Sequence, residues 1–116
     1  MKPKIYSLIS CDTCRKALGA LAKAGVDVEV IDIRADGVAP KVLDAFAKDP
    51  GPDVLINRRS TTWRQLDEQA REHAMDPGKM ADVLAQHPTL MKRPVIVVGD
   101  ATLVGWNADV QKALNV

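Results

Sequence analysis

Two cysteines carry the chemistry that this sequence offers most clearly. Cys11 and Cys14 are its only cysteines, and they lie one helical turn apart within residues 10–16, SCDTCRK. A thiolate attacks a disulfide sulfur through a mixed-disulfide intermediate, and a second thiol close by can release that intermediate. The spacing therefore predicts a redox pair, with Cys11 as the nucleophile and Cys14 as the resolving thiol.

The residues around the pair predict a strand before it and a helix after it. Residues 4–9, KIYSLI, are mostly apolar and rich in β-formers. Apolar residues from Ala17 onward recur with a period of about 3.6 until Gly25, where a helix commonly ends. A thiol at a helix start faces unbonded backbone N–H groups and the positive end of the helix dipole, and Arg15 and Lys16 add positive charge nearby. We therefore expect Cys11 to ionise readily.

Other roles for the two cysteines fit the sequence less well. A structural zinc site needs about four ligands, whereas the only histidines, His73 and His87, lie far along the chain and fourteen residues apart. A structural disulfide that closes so short a loop constrains the unfolded chain little. Two ordinary buried cysteines remain as the alternative, since free Cys is among the most buried residue types.

Composition limits the size, location and partners of the protein. The 116 residues, 47% of them apolar, are enough for one domain with one core. The formal net charge of +1, with both signs spread along the chain, gives no reason to expect direct binding to nucleic acid or to a membrane surface. No apolar stretch approaches the ~20 residues of a membrane-spanning helix, so we expect a cytoplasmic protein.

The rest of the chain predicts more helices and then a return to strands. Residues 26–33, VDVEVIDI, indicate a second strand, parallel to the first because a helix connects them. A helix is expected from Pro40, another from a capping box at residues 62–65 to about His73, and a third after Asp76.

The last third of the sequence changes period again. Residues 94–104 predict a β-hairpin, and Asn107 is suited to cap a final short helix. The predicted order is therefore β-α-β, a helical block at about residues 39–88, and β-β-α. No repeat or linker separates the block, so we expect it to be an insertion within a single domain over residues 1–116.

With this order, the chain resembles a thioredoxin-fold protein. More narrowly, it resembles the family of the glutaredoxin-coupled arsenate reductases, their small relatives regarded as glutathione-dependent thiol reductases, and the Spx transcriptional regulators. The resemblance covers nearly the whole chain and is carried by residues 11–17 (CDTCRKA), 55–66 (LINRRSTTWRQL) and 87–95 (HPTLMKRPV). It implies an α/β, thioredoxin-like fold with a helical insertion between the two halves.

The resemblance also implies roles for individual residues. Cys11 matches the attacking cysteine, Arg93 matches an anion-binding arginine, and Pro94 matches the proline that is cis in thioredoxin-like folds. Arg59 matches an arginine of the small thiol reductases and Spx proteins, while Asn57 stands where the arsenate enzymes have an arginine. Arg is suited to such a site because its fixed fork of donors fits an anion.

These matches favour an enzyme acting on thiols. The third arginine of the arsenate site falls near Gly105 and Trp106 and is missing, which argues against arsenate as the physiological substrate. The Cys11 thiolate is expected to attack a disulfide, a glutathionylated thiol or an oxyanion. We expect no bound cofactor and no metal, with glutathione or a glutaredoxin-type thiol as the electron donor. Arg93, Arg59 and Asn57 would bind the anionic part of the substrate beside Pro94.

A redox-switched regulator is the alternative. Spx proteins usually carry the second cysteine, and Gly51 matches the glycine by which they meet the RNA polymerase α subunit, although Pro52 and its surroundings differ. Such a regulator would form its internal disulfide without turning over glutathione, which separates it from the enzyme.

Overall fold

The computed structural model describes residues 2–116, which fall into two compact units. The first unit contains the chain up to Ile33 together with Arg93–Val116, and the second unit is Arg34–Lys92. Two compact units are compatible with one domain as well as with two. The single domain, with its insertion at about residues 39–88, therefore stays a prediction.

Strands and helices follow one another in the predicted order. The elements are β1 (Lys4–Ser7), α1 (Asp12–Lys23), β2 (Glu29–Asp32), α2 (Pro40–Lys48), α3 (Pro52–Leu55), α4 (Thr61–Gln65), α5 (Glu68–Ala74), α6 (Met80–Gln86), a 3-10 helix (Pro88–Leu90), β3 (Val95–Val98), β4 (Ala101–Val104) and α7 (Ala108–Ala113). The sequence of β-α-β, helices and β-β-α confirms the predicted thioredoxin-like α/β fold. No helix in residues 2–116 is both long enough and apolar enough to cross a membrane.

The first unit is built on a four-stranded sheet in the order β2-β1-β3-β4. β1 pairs in parallel with β2 and antiparallel with β3, which in turn pairs antiparallel with β4. Ile5 in β1 lies between Val30 and Ile96 in this register. The parallel pair requires the crossover through α1, and the second pair brings the start of β3 beside the end of β1.

Helices α1 and α7 close the core of this unit. Ile5 and Ile96 of the sheet are buried in one cluster with Ala17 and Leu21 of α1 and Val110 of α7. The predicted C-terminal end of α1 and the predicted N-terminal cap of α7 are confirmed. Gly25 follows α1 with a φ of +75°, and the side chain of Asn107 caps α7 by accepting from the Val110 N–H at 3.0 Å.

The second unit is helical and has its own apolar interior. Buried side chains of α2, α3, α6 and the 3-10 helix form most of this interior: Leu43, Phe46, Leu55, Met80, Leu84 and Leu90. An isolated antiparallel bridge between Ile56 and Met91 joins the segment after α3 to the segment after the 3-10 helix.

The helix predicted from the capping box to about His73 is in fact two helices. Ser60, not Thr62, caps α4, and its Oγ accepts a hydrogen bond from the Trp63 N–H at 3.1 Å. Asp67 then caps α5 separately. The prediction was wrong at this point because Asp67 offers a second cap inside a segment whose periodicity alone favoured one helix.

Candidate active site

Cys11 lies at the turn between β1 and α1, where it is the N-cap residue of the helix. Its N–H donates to the Leu8 carbonyl at 2.9 Å, and its carbonyl accepts from the Arg15 N–H at 3.1 Å. Leu8 is buried and anchors the turn, whereas Cys11 is half-buried and Ile9 is 81% exposed. The thiol is thus fixed at the positive end of α1 and remains accessible.

Cys14 lies in the first turn of α1 and is only 1% exposed. The pKa of its thiol is raised to about 11, chiefly by burial and also by the hydrogen bond and charge of Cys11, while the backbone of Leu8 and the charge of Arg93 act in the opposite direction. Cys14 therefore keeps its proton at neutral pH. Because the two thiols are not joined by a disulfide in this structure, that proton can be donated to Cys11.

The pKa of Cys11 is lowered, although partial burial opposes its ionisation. The backbone N–H and the thiol of Cys14 favour the thiolate, and so do a hydrogen bond and the positive charge of Arg93. One thiol of the pair is thus prepared to attack and the other to stay protonated.

Arg93 is held beside Cys11 by the start of β3. The Arg93–Pro94 peptide bond is cis, as the resemblance implies, and the Nε atom of Arg93 is inaccessible to solvent. The Pro94 carbonyl accepts from the Gly105 N–H at 2.8 Å, which ties this residue to the end of β4. The structure therefore brings together Cys11, Cys14, Arg93 and Pro94.

The basic residues next to the cysteines in sequence play a smaller part than expected. Arg15 forms an ion pair with Asp12, and both side chains are exposed. Neither Arg15 nor Lys16 is among the groups that shift the pKa of Cys11. The cation that favours the thiolate comes instead from Arg93, far away in the sequence.

Asn57 and Arg59 belong to the second unit, where they form the loop between α3 and α4. The Asn57 Oδ1 accepts from the Arg59 N–H at 3.1 Å, and the Asn57 carbonyl accepts from the Ser60 hydroxyl at 2.7 Å. The side-chain oxygen of Asn57 therefore shapes the loop, which leaves its amide Nδ2 as the group able to donate to a ligand.

A cavity of about 340 Å³ opens beside this loop. Its lining residues are Asp53, Ile56, Asn57, Arg58, Arg59 and Lys92. The sequence pointed to only two of these, Asn57 and Arg59, and missed the others. The available signal was that two short apolar runs, which form the Ile56–Met91 bridge, are each followed closely by basic residues.

Arg64 and Arg71 hold the loop from its helical side. The Arg64 guanidinium donates to the Arg59 carbonyl at 3.0 Å and to the Ser60 carbonyl at 3.5 Å. Arg71 donates in turn to the carbonyls of Trp63 and Arg64, and it lies 5.6 Å from the centre of the Trp63 ring. The sequence favoured a surface role for Arg64, but its hydrogen bonds help to fix the backbone of Arg59.

A second cavity, of about 370 Å³, contains none of the predicted site residues. Its lining includes His73, His87, Lys79 and Asp82. Among residues 2–116, no group of three or more His, Cys, Asp or Glu side chains is arranged to hold a metal ion. We therefore assign the candidate chemistry to the cysteine pair and to the basic loop.

Comparison with known proteins identifies the family. The model of the ArsC family matches residues 6–114 of the chain. The chain belongs to the ArsC family. This confirms the resemblance inferred from the sequence, and it agrees with the position of the cysteine pair between a strand and a helix.

Individual relatives include both uncharacterised proteins and regulators. The chain is 42% identical over 103 residues to an uncharacterized protein of Haemophilus influenzae, covering 89% of this chain and 90% of that protein. It is 28% identical over 102 residues to the global transcriptional regulator Spx of Streptococcus pyogenes, covering 86% and 75% respectively. Among solved structures, the YFFB (PA3664) protein is 31% identical, with a TM-score of 0.88 over 97% of each chain.

Removing the charge of Arg93 should make Cys11 react at higher pH. We expect Arg93→Gln to raise the midpoint of the pH profile for Cys11 alkylation by on the order of one pH unit, because it removes a hydrogen bond and a positive charge that favour the thiolate. Iodoacetamide rates measured by mass spectrometry give the midpoint. Arg15→Gln is the matched control and should leave it unchanged; equal midpoints for the wild type and Arg93→Gln would contradict this role.

Removing the Arg64 guanidinium should loosen the second unit. We expect Arg64→Ala to lower the free energy of unfolding by about 1 kcal/mol, because the carbonyls of Arg59 and Ser60 lose their hydrogen bonds from the guanidinium. Arg58→Ala, an exposed change in the same loop, should alter it by less than about 0.5 kcal/mol. Urea unfolding curves give the denaturation midpoint of each variant. Equal shifts of the two midpoints would contradict the stabilising role of the Arg64 hydrogen bonds.

Proposed function

We propose that this chain is a thiol-disulfide oxidoreductase that draws its electrons from glutathione. Membership of the ArsC family supports a thiol-dependent reductase in general terms. The observation that supports thiol-disulfide exchange between the two cysteines is the opposite shift of their pKa values, lowered for Cys11 and raised to about 11 for Cys14. A nucleophile and a resolving thiol need this difference, because only a thiolate attacks and an early second thiolate would repel the first.

In the first step, the Cys11 thiolate attacks the glutathione sulfur of a glutathionylated thiol. A Cys11–glutathione disulfide forms, the bond between glutathione and the substrate breaks, and the electron pair leaves with the substrate sulfur, which takes a proton from water. Arg93 contributes by favouring the thiolate of Cys11 before the attack. The substrate thiol is reduced, and the enzyme carries the oxidation as the mixed disulfide.

In the second step, the mixed disulfide is resolved. Once Cys11 is in a disulfide its negative charge is gone, so two of the causes that raise the pKa of Cys14 disappear. Cys14 then loses its proton more readily and attacks the Cys11 sulfur, which forms the internal disulfide and releases glutathione as a thiolate. Two further glutathione molecules reduce this disulfide and leave as oxidised glutathione; alternatively, one glutathione attacks the mixed disulfide directly.

Substrate recognition is assigned to the remaining predicted site residues. Arg59 and Asn57 line the basic cavity of the second unit, where guanidinium and amide donors fit carboxylates. Arg93 is proposed to serve both the thiolate and the anionic part of the substrate, with Pro94 as its neighbour. These binding roles remain proposals, as does the choice of glutathione over a glutaredoxin-type thiol.

Single cysteine variants test the proposed order of attack. The wild type, Cys11→Ser and Cys14→Ser are each incubated in a glutathione redox buffer, and their intact masses are recorded. We expect Cys14→Ser to accumulate one glutathione adduct on Cys11, since its resolving thiol is missing, and Cys11→Ser to form none. If Cys11→Ser formed the adduct and turned over glutathione as well as the wild type does, Cys11 would not be the nucleophile.

A redox-switched regulator is the second candidate, favoured by the similarity to an Spx regulator. Gly51 has a φ of +84°. It matches the glycine by which Spx proteins contact the RNA polymerase α subunit. In the same experiment, a clean internal disulfide in the wild type, with no adduct and no glutathione turnover in any variant, would favour the regulator over the enzyme.

A further inference from the structure

The basic cavity of the second unit is larger than a simple oxyanion needs. Its volume of about 340 Å³ lies within the roughly 300–1,000 Å³ of small-molecule sites. A water molecule takes about 30 Å³ of liquid volume, so an oxyanion of a few heavy atoms would leave most of the cavity to solvent. The size suits a ligand as large as a short peptide.

The charged groups of this cavity are of both signs and are not paired with one another. Arg58, Arg59 and Lys92 provide three cations, and Asp53 provides a carboxylate. Across residues 2–116, none of these four side chains forms an ion pair with another side chain. Three cations and one carboxylate around one open volume therefore remain available to a ligand with charges of both signs.

The backbone that carries these groups is held in place. The Asn57 N–H donates to the Leu90 carbonyl at 2.9 Å, and the Lys92 N–H donates to the Leu55 carbonyl at 2.8 Å. The hydrogen bonds of Asn57 and Arg64 fix the N–H and the carbonyl of Arg59. A site with a preformed backbone loses less entropy when a ligand binds.

We propose that this cavity binds a small zwitterionic peptide with two carboxylates and one free ammonium group, which is the charge pattern of glutathione; the inference rests on the proposed function. Arg58, Arg59 and Lys92 bind the carboxylates, and Asp53 accepts from the ammonium group. Asp53 distinguishes between ligands, because its carboxylate attracts the ammonium group of the peptide and repels a simple anion.

Two ligands that differ only in the ammonium group test the role of Asp53. S-methylglutathione cannot form a disulfide, so calorimetric titration into the full wild-type chain reports binding alone. We expect Asp53→Asn to weaken its binding by about fivefold and to leave N-acetyl-S-methylglutathione, which lacks the ammonium group, bound as before or more tightly. Asp82→Asn, an exposed change outside this cavity, is the matched control and should affect neither ligand.

The basic residues are tested with the same pair of ligands. Arg58→Gln and Lys92→Gln should each weaken both ligands, whereas Lys79→Gln, outside this cavity, should weaken neither. The proposal is overturned if the wild type does not bind S-methylglutathione, or if none of the cavity variants changes the binding. It is also overturned if Asp53→Asn weakens both ligands equally. Tighter binding of S-methylglutathione to Asp53→Asn would likewise overturn it and would indicate a simple anion site.

The outcome is separable from that of the proposed function. A Cys11 adduct without the expected binding pattern would uphold the reductase and reject this site. The expected binding pattern without any adduct or turnover would uphold the site and reject the reductase.

Discussion

The site depends on one negative charge, that of the Cys11 thiolate, which must be stabilised where partial burial opposes it. Cys14 and Arg93 do this together, one as a protonated neighbour and the other as a cation. The same contact acts in reverse on Cys14, because the charge of Cys11 adds to burial in keeping its proton bound. The chemical difference between two identical side chains therefore arises from their unequal burial and from this shared hydrogen bond.

The fold supplies the geometry that this interaction needs. The parallel pairing of β1 with β2 requires a helix between them, and the turn into that helix fixes Cys11 as its N-cap residue. The antiparallel pairing of β1 with β3 brings the start of β3, with Arg93 just before it, towards the same end of the sheet. Sheet topology thus joins a residue near the start of the chain to one far along it.

Features set by neighbouring residues were predictable, and those set by long-range packing were less so. The cysteine spacing, Gly25 after α1 and the Asn107 cap are local patterns, and each has the predicted place in the structure. Cys11 was predicted from the spacing itself, whereas residues 87–95 pointed to Arg93 only through the family resemblance. Nothing local could bring Asp53 and Lys92 to one cavity, because the Ile56–Met91 bridge does so across more than thirty residues.

The most direct test of the central claim is the separate titration of the two thiols, followed by NMR of isotope-labelled cysteine Cβ resonances. Because the groups interact, the apparent pKa values belong to the pair. The account predicts a first ionisation at Cys11 below the ordinary cysteine value of about 8.5, and a second at Cys14 with a pKa of about 11. In Cys11→Ser the first should vanish and the second should fall. Two thiols that titrate together near the ordinary value would contradict the account.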